Sequence, residues 1–141
     1  MTVVVDASVV VAALLDAGPA GVWAEDVLQS EPLAAPHVLP AEAANMMRRA
    51  ALGREVSADV AALAHVELTA LPVELFPYEP FASRVWELRR NLTAYDAWYV
   101  ALAESLGASL ATLDGTLRRS PGPRCTFLAP ATRTSRRPTT L

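Results

Sequence analysis

With 141 residues, 52% of them apolar and 19% charged, the chain has room for one domain with a full hydrophobic core and lacks the composition of a disordered segment. Its single cysteine, Cys125, excludes an internal disulfide and any multi-cysteine metal site. The net charge of -3 taken alone argues against nucleic acid as a partner, yet all 12 basic residues are arginines, several in pairs (Arg48-Arg49, Arg89-Arg90, Arg118-Arg119, Arg136-Arg137), whose planar forks grip phosphate locally.

Thr2 to Val5 reads as a buried strand, and Asp6-Ala7-Ser8 leads it into a helix running through Leu15. Gly18-Pro19 breaks the chain. Ala20 to Ser30 then reads as a helix with Val22, Trp23, Val27 and Leu28 on its inner face. Prolines at 32 and 36 bound a brief second strand, and Pro40 opens a helix, Ala41 to Ala51, that Gly53 ends. On that helix Glu42, Asn45 and Arg49 share one polar face. Ser57 caps a helix reaching Leu71, with Val60, Leu63 and Leu68 expected to be buried. Pro72 to Phe76 is a third strand, and Pro80 to Asn91 a helix with Phe81, Val85, Trp86 and Leu88 inward.

Thr93 followed by Asp96 resembles a capping box, opening a helix that is apolar nearly all round and that Gly107 ends. Ala108 to Thr112 forms the fourth strand, which ends at Asp114-Gly115. Arg118 to Pro123 reads as a basic turn, and Cys125 to Leu128 as a short last strand. Residues 1–130 are expected to form the domain and residues 131–141, with almost nothing apolar, a flexible tail. No apolar run is long enough to span a membrane and no signal peptide is evident, so a cytoplasmic location is expected. His37 and His65 stand apart and read as structural or surface residues.

The alternation of strand and helix predicts a three-layer α/β/α domain around a mainly parallel sheet of about four to five strands with right-handed crossovers. Asp6 and Asp114 then follow strands, while Glu42 and Asp96 occupy first turns of helices starting at the same sheet edge. Ligands bind at that edge in such sheets. Singly, each acid has a purely structural explanation as a cap, a helix-end charge or a turn residue. Together they would repel one another, and a hard divalent cation resolves that repulsion. Zinc is disfavoured because clustered cysteine and histidine are missing. The predicted reaction is metal-assisted phosphodiester hydrolysis. The lack of lysine removes P-loop enzymes and the phosphoaspartate enzymes that rely on one.

Val3 to Ser8 (Val-Val-Val-Asp-Ala-Ser), Pro40 to Asn45 (Pro-Ala-Glu-Ala-Ala-Asn), Thr93 to Ala97 (Thr-Ala-Tyr-Asp-Ala) and Ala111 to Asp114 (Ala-Thr-Leu-Asp) resemble the motifs of PIN-domain ribonucleases, specifically the VapC type of toxin-antitoxin systems. The resemblance covers Thr2 to about Leu128. It implies a Mg²⁺- or Mn²⁺-dependent endoribonuclease acting on structured RNA such as tRNA or rRNA. It also implies a homodimer, held inactive by a cognate VapB-type antitoxin whose C-terminal segment covers the site. Asp6, Glu42, Asp96 and Asp114 match the acidic metal-site positions, Asp6 and Asp96 as the most direct ligands. Ser8, Asn45 and Thr112 match the polar supporting positions. Arg48, Arg49, Arg89 and Arg90 are candidate RNA contacts. Two other readings stand beside this one: a silent PIN-like module that binds RNA or protein, and a DNA-directed or flap-type nuclease on the same scaffold.

Overall fold

The computed structural model describes residues 1–131. The tail expected at 131–141, apart from Ala131, lies outside the described residues. Five strands form one sheet: β1 (Val3–Val5), β2 (Leu33–Pro36), β3 (Val73–Phe76), β4 (Ser109–Ala111) and β5 (Phe127–Leu128). All neighbours pair parallel, in the order β3-β2-β1-β4-β5. Successive strand residues point to opposite faces, so burial of all three residues of β1 and all four of β2 means that both faces are covered.

Among the described residues seven helices supply the cover: α1 (Ala7–Leu15), α2 (Pro19–Ser30), α3 (Leu39–Leu52), α4 (Ala58–Ala70), α5 (Ala82–Glu87), α6 (Ala94–Leu106) and α7 (Gly115–Arg119). Helices α1 to α4 pack on one another, whereas α6 packs on α5 and against β1, β2 and β4. Among the described residues no single helix is long and apolar enough to cross a membrane.

The chain leaves β1 toward β2 on one side, and β4 lies on the other. The crevice at the carboxyl ends of β1 and β4 is therefore the point where the winding reverses, the place where open parallel sheets bind ligands. The sequence-derived caps hold here. Ser57 Oγ accepts from the Val60 N–H at 3.1 Å, Thr93 Oγ1 accepts from the Asp96 N–H at 3.1 Å, and Gly107 closes α6 in the left-handed conformation at φ 60°.

Several packing expectations need correction. Val60 and Leu63 are 47% and 62% exposed, because α4 meets its neighbours through Ala64 and Leu68. With apolar residues nearly all round, the α4 pattern does not single out one inner face. Val22 is exposed, and small residues, Gly21 and Ala24, take the buried face of α2 so that it can lie close to α1. The helix expected over Pro80 to Asn91 is divided into a 3₁₀ turn, Glu79–Phe81, and the six-residue α5. Trp86, expected inward, is 66% exposed, with the Arg89 guanidinium 4.8 Å above its ring. Arg118 and Arg119 belong to α7 rather than to a turn, since Asp114 caps a helix there.

Candidate active site

At the carboxyl end of β1, Asp6 is 9% exposed. Its Oδ1 accepts the Val9 N–H at 3.2 Å and so caps α1, and it also accepts the Ser8 hydroxyl. Its Oδ2 accepts the hydroxyl of Thr112, which is fully buried. Both hydroxyls also accept from the backbone beyond β4: Ser8 Oγ from the Leu113 N–H at 3.1 Å, and Thr112 Oγ1 from the Asp114 N–H at 3.0 Å. The ends of β1 and β4 are thereby locked together across the crevice.

Asp114 is exposed and caps α7, its Oδ1 accepting the Thr116 and Leu117 N–H groups at 2.9 and 3.1 Å. Glu42 and Asp96 stand in the first turns of α3 and α6, as their positions after Pro40 and Thr93 dictate. Glu42 Oε1 accepts the phenol hydrogen of Tyr99 at 2.9 Å.

These side chains border an open cavity of about 210 Å³ lined by Asp6, Ala7, Ser8, Glu42, Met46, Asp96, Tyr99 and Asp114. No basic residue is among them. Burial raises the pKa of Asp6, with the bonds from Ser8, Thr112 and Val9 opposing. Burial likewise raises Glu42, the Tyr99 bond opposing and the charges of Asp96 and Asp6 adding to it. Asp96 is raised by burial first and then by the charges of Asp114 and Asp6. Tyr99, 2% exposed and facing Glu42, has its hydroxyl pushed far above the ordinary range by burial and by that carboxylate, so it remains a donor.

Four carboxylates line one cavity with no cation among them, burial and neighbouring charge raising Glu42 and Asp96, and they form a donor set of hard oxygens suited to Mg²⁺ or Mn²⁺. Among the described residues no group of three or more acidic, histidine or cysteine side chains is placed to hold an ion by itself. An ion here would be held through one or two carboxylates, with water and substrate oxygens completing its shell. The residues present therefore fit such an ion.

The structure brings together Asp6, Ser8, Glu42, Asp96 and Asp114, with Thr112 directly behind Asp6. Asn45 is exposed and outside the lining; at that level of α3 Met46, one turn after Glu42, enters the cavity instead. Arg48, Arg49, Arg89 and Arg90 are exposed and none reaches the cavity wall. Tyr99 is the residue that sequence reasoning passed over. Its place three residues after Asp96 on one helix face was the available signal.

A model of the PIN domain matches residues 3–122. The chain belongs to the PIN-domain family. Within that family it is 40% identical over 123 residues to ribonuclease VapC1 of Mycobacterium tuberculosis, covering 86% of this chain and 92% of that protein. It is 37% identical over 120 residues to ribonuclease VapC12 of the same organism, covering 85% and 92%. The PIN fold is also shared with the crystal structure of PAE2754 from Pyrobaculum aerophilum. There the TM-score is 0.68 at 23% identity, over 90% of this chain and 83% of that one. The four acids of the PIN-like motifs thus lie in a chain whose relatives are named VapC ribonucleases, and the fold and family expected from those motifs hold.

Proposed function

We propose that this PIN-domain protein is a VapC-like endoribonuclease toxin that uses Mg²⁺ or Mn²⁺ to hydrolyse structured RNA, with tRNA or rRNA as the substrate class. The observation that carries the reading is the meeting of Asp6, Glu42, Asp96 and Asp114 around one cavity at the switch point of the sheet. The ribonuclease relatives support it.

In this reading Asp6 and Asp96 would hold the ion directly, and Glu42 and Asp114 would complete the site partly through water. When bound, the ion would lower the pKa of water and neutralise charge on the phosphodiester. The chain's own residues do the rest. Ser8 and Thr112 fix both oxygens of Asp6, so the carboxylate is presented in one orientation. Tyr99 holds one oxygen of Glu42, a residue of the cavity wall, which leaves that carboxylate capacity to orient or accept a proton from a water. The same reading includes a homodimer and a cognate VapB-type antitoxin. Solved structures sharing the fold include VapBC2 of Rickettsia felis and FitAB, each bound to DNA.

The test is cleavage of end-labelled RNA and DNA hairpins by the purified chain, freed of any co-purifying partner, with Mg²⁺, Mn²⁺ or EDTA and beside Asp6→Asn. Cleavage of RNA alone, dependent on metal and lost in the variant, is the expected result. A variant as active as the wild type would end the proposal, and cleavage of DNA would redirect it.

A further inference from the structure

The acidic cavity poses a problem for its own substrate, since RNA is a polyanion and the cavity wall holds carboxylates and no cation. A solution lies on α7. Arg118 and Arg119 follow Gly115 by three and four residues, so they stand over it on one helix face, and helical side chains lean toward the N-terminus of their helix. A Cβ on Gly115 would stand 2.8 Å from Arg119 Nη1 and 3.6 Å from Arg118 Nη2. Both guanidinium groups are therefore drawn back over the residue next to Asp114, at the rim of the cavity. Gly115 lacks positive φ, so its missing side chain matters here for space and not for backbone freedom.

Among the described residues neither arginine makes an ion pair or side-chain hydrogen bond, and both are exposed. Arg84 is engaged with Glu104 and Glu87, and Arg89 lies over Trp86. We propose that Arg118 and Arg119 form a phosphate clamp that holds the RNA backbone beside the scissile linkage, at the Asp114 edge of the site. The proposal rests on the ribonuclease reading and adds to it the residues that grip substrate. It also moves the phosphate contacts away from Arg48, Arg49, Arg89 and Arg90: none of the six arginines borders the cavity, but Arg118 and Arg119 are folded back over the residue next to Asp114, which does. Two planar forks side by side match phosphate oxygens and carry no base preference.

The experiment begins with wild-type cleavage of a labelled RNA hairpin in Mg²⁺; if none occurs, the ribonuclease reading falls before the clamp is tested. Binding of the same hairpin is then measured against salt in an Asp6→Asn background, for the parent, for Arg118→Ala/Arg119→Ala, and for Arg48→Ala/Arg49→Ala. The clamp predicts that the first pair weakens binding by about tenfold or more and lowers the salt slope by about 1 to 2, while the second pair does neither. Arg118→Lys/Arg119→Lys should recover the slope. In the active enzyme the alanine pair should raise KM more than it lowers kcat. Wild-type affinity and slope in the folded Arg118→Ala/Arg119→Ala protein would overturn the clamp. So would an equal loss in both alanine pairs, or failure of the folded lysine pair to recover the slope.

Discussion

The Thr112 hydroxyl donates to Asp6 Oδ2 across 106 residues of sequence, joining the end of β4 to the end of β1 inside a fully buried contact. Thr112 Oγ1 in turn accepts the Asp114 N–H at 3.0 Å, so one small side chain ties two of the four acids. Replacing it by the isosteric valine keeps the packing and removes both bonds. Thr112→Val should cost roughly 1–3 kcal/mol in denaturant unfolding, the usual penalty for a buried polar group left without its partner. Thr112→Ser should recover most of it. Equal stability of the valine variant would mean that Asp6 does not need this donor.

Asp96 is only partly buried and carries the repulsion of Asp114 and Asp6. Asp96→Asn removes that repulsion while Thr93 continues to cap α6. In EDTA the variant should therefore melt at or above the wild-type temperature. Added Mg²⁺ should raise the wild-type Tm and leave the variant unmoved, because only a binder of the native state stabilises it. A large loss of metal-free stability would assign Asp96 a structural role at the helix start.

The raised carboxyls also set a direction for pH. Asp6, Glu42 and Asp96 hold their protons more tightly when folded, chiefly through burial, than in the unfolded chain. Folding then takes up protons between the unfolded and folded values. The stability tied to these groups is complete below the ordinary carboxylate range and is lost as pH rises through the raised folded values. In EDTA the stability of wild type relative to Asp96→Asn should fall as pH rises from acid toward neutral, and saturating Mg²⁺ should offset that fall at neutral pH. A difference independent of pH would contradict the burial of these acids.

Much of this site can be read from the sequence because the signals are local. An acid after a β-branched run, an acid two residues after Pro40, and an acid three after Thr93 each fix a strand end or helix start. Parallel winding then gathers those ends at one edge. What was hidden depends on contacts between distant segments. Tyr99 reaches Glu42 only because α3 and α6 both begin at this edge of the sheet, and Val60, Leu63 and Trp86 are apolar residues whose exposure no periodicity revealed. Asn45, expected as a supporting residue, is exposed on α3 outside the cavity wall, which its neighbour Met46 joins.

Tyr99→Phe isolates the bond to Glu42. The ring stays buried and the 2.9 Å bond is lost, so about 1 kcal/mol of stability should go with it. Groups that orient a metal-site carboxylate typically matter by 10- to 100-fold in affinity. Calorimetric titration of Mn²⁺ should show weakened binding in Tyr99→Phe, and cleavage should fall in parallel. Unchanged Mn²⁺ affinity would leave Tyr99 a packing residue.

Away from the site, Arg84 and Glu104 make a paired contact, Nε to Oε1 at 2.7 Å and Nη2 to Oε2 at 3.1 Å, joining α5 to α6. The Arg124 N–H reaches Glu104 Oε2 at 2.8 Å, and Arg84 Nη2 reaches the Gly122 carbonyl at 2.9 Å, so the segment before β5 is fastened to the same pair. At 21% and 15% exposure the two side chains are largely shielded from water. Burial pushes Glu104 upward, but the bonds from Arg84 and Arg124 outweigh it and hold the carboxyl below its ordinary value. Its contribution is thus present above the unfolded value and lost as pH falls through the depressed folded one, opposite in sign to the site acids. Glu104→Gln should cost about 1.5–3 kcal/mol at neutral pH and less in acid, as expected for bonds to a charged group. RNA cleavage per folded molecule should stay at the wild-type level, because none of these residues borders the acidic cavity. An equal loss at both pH values would mean that the contact stabilises through packing alone.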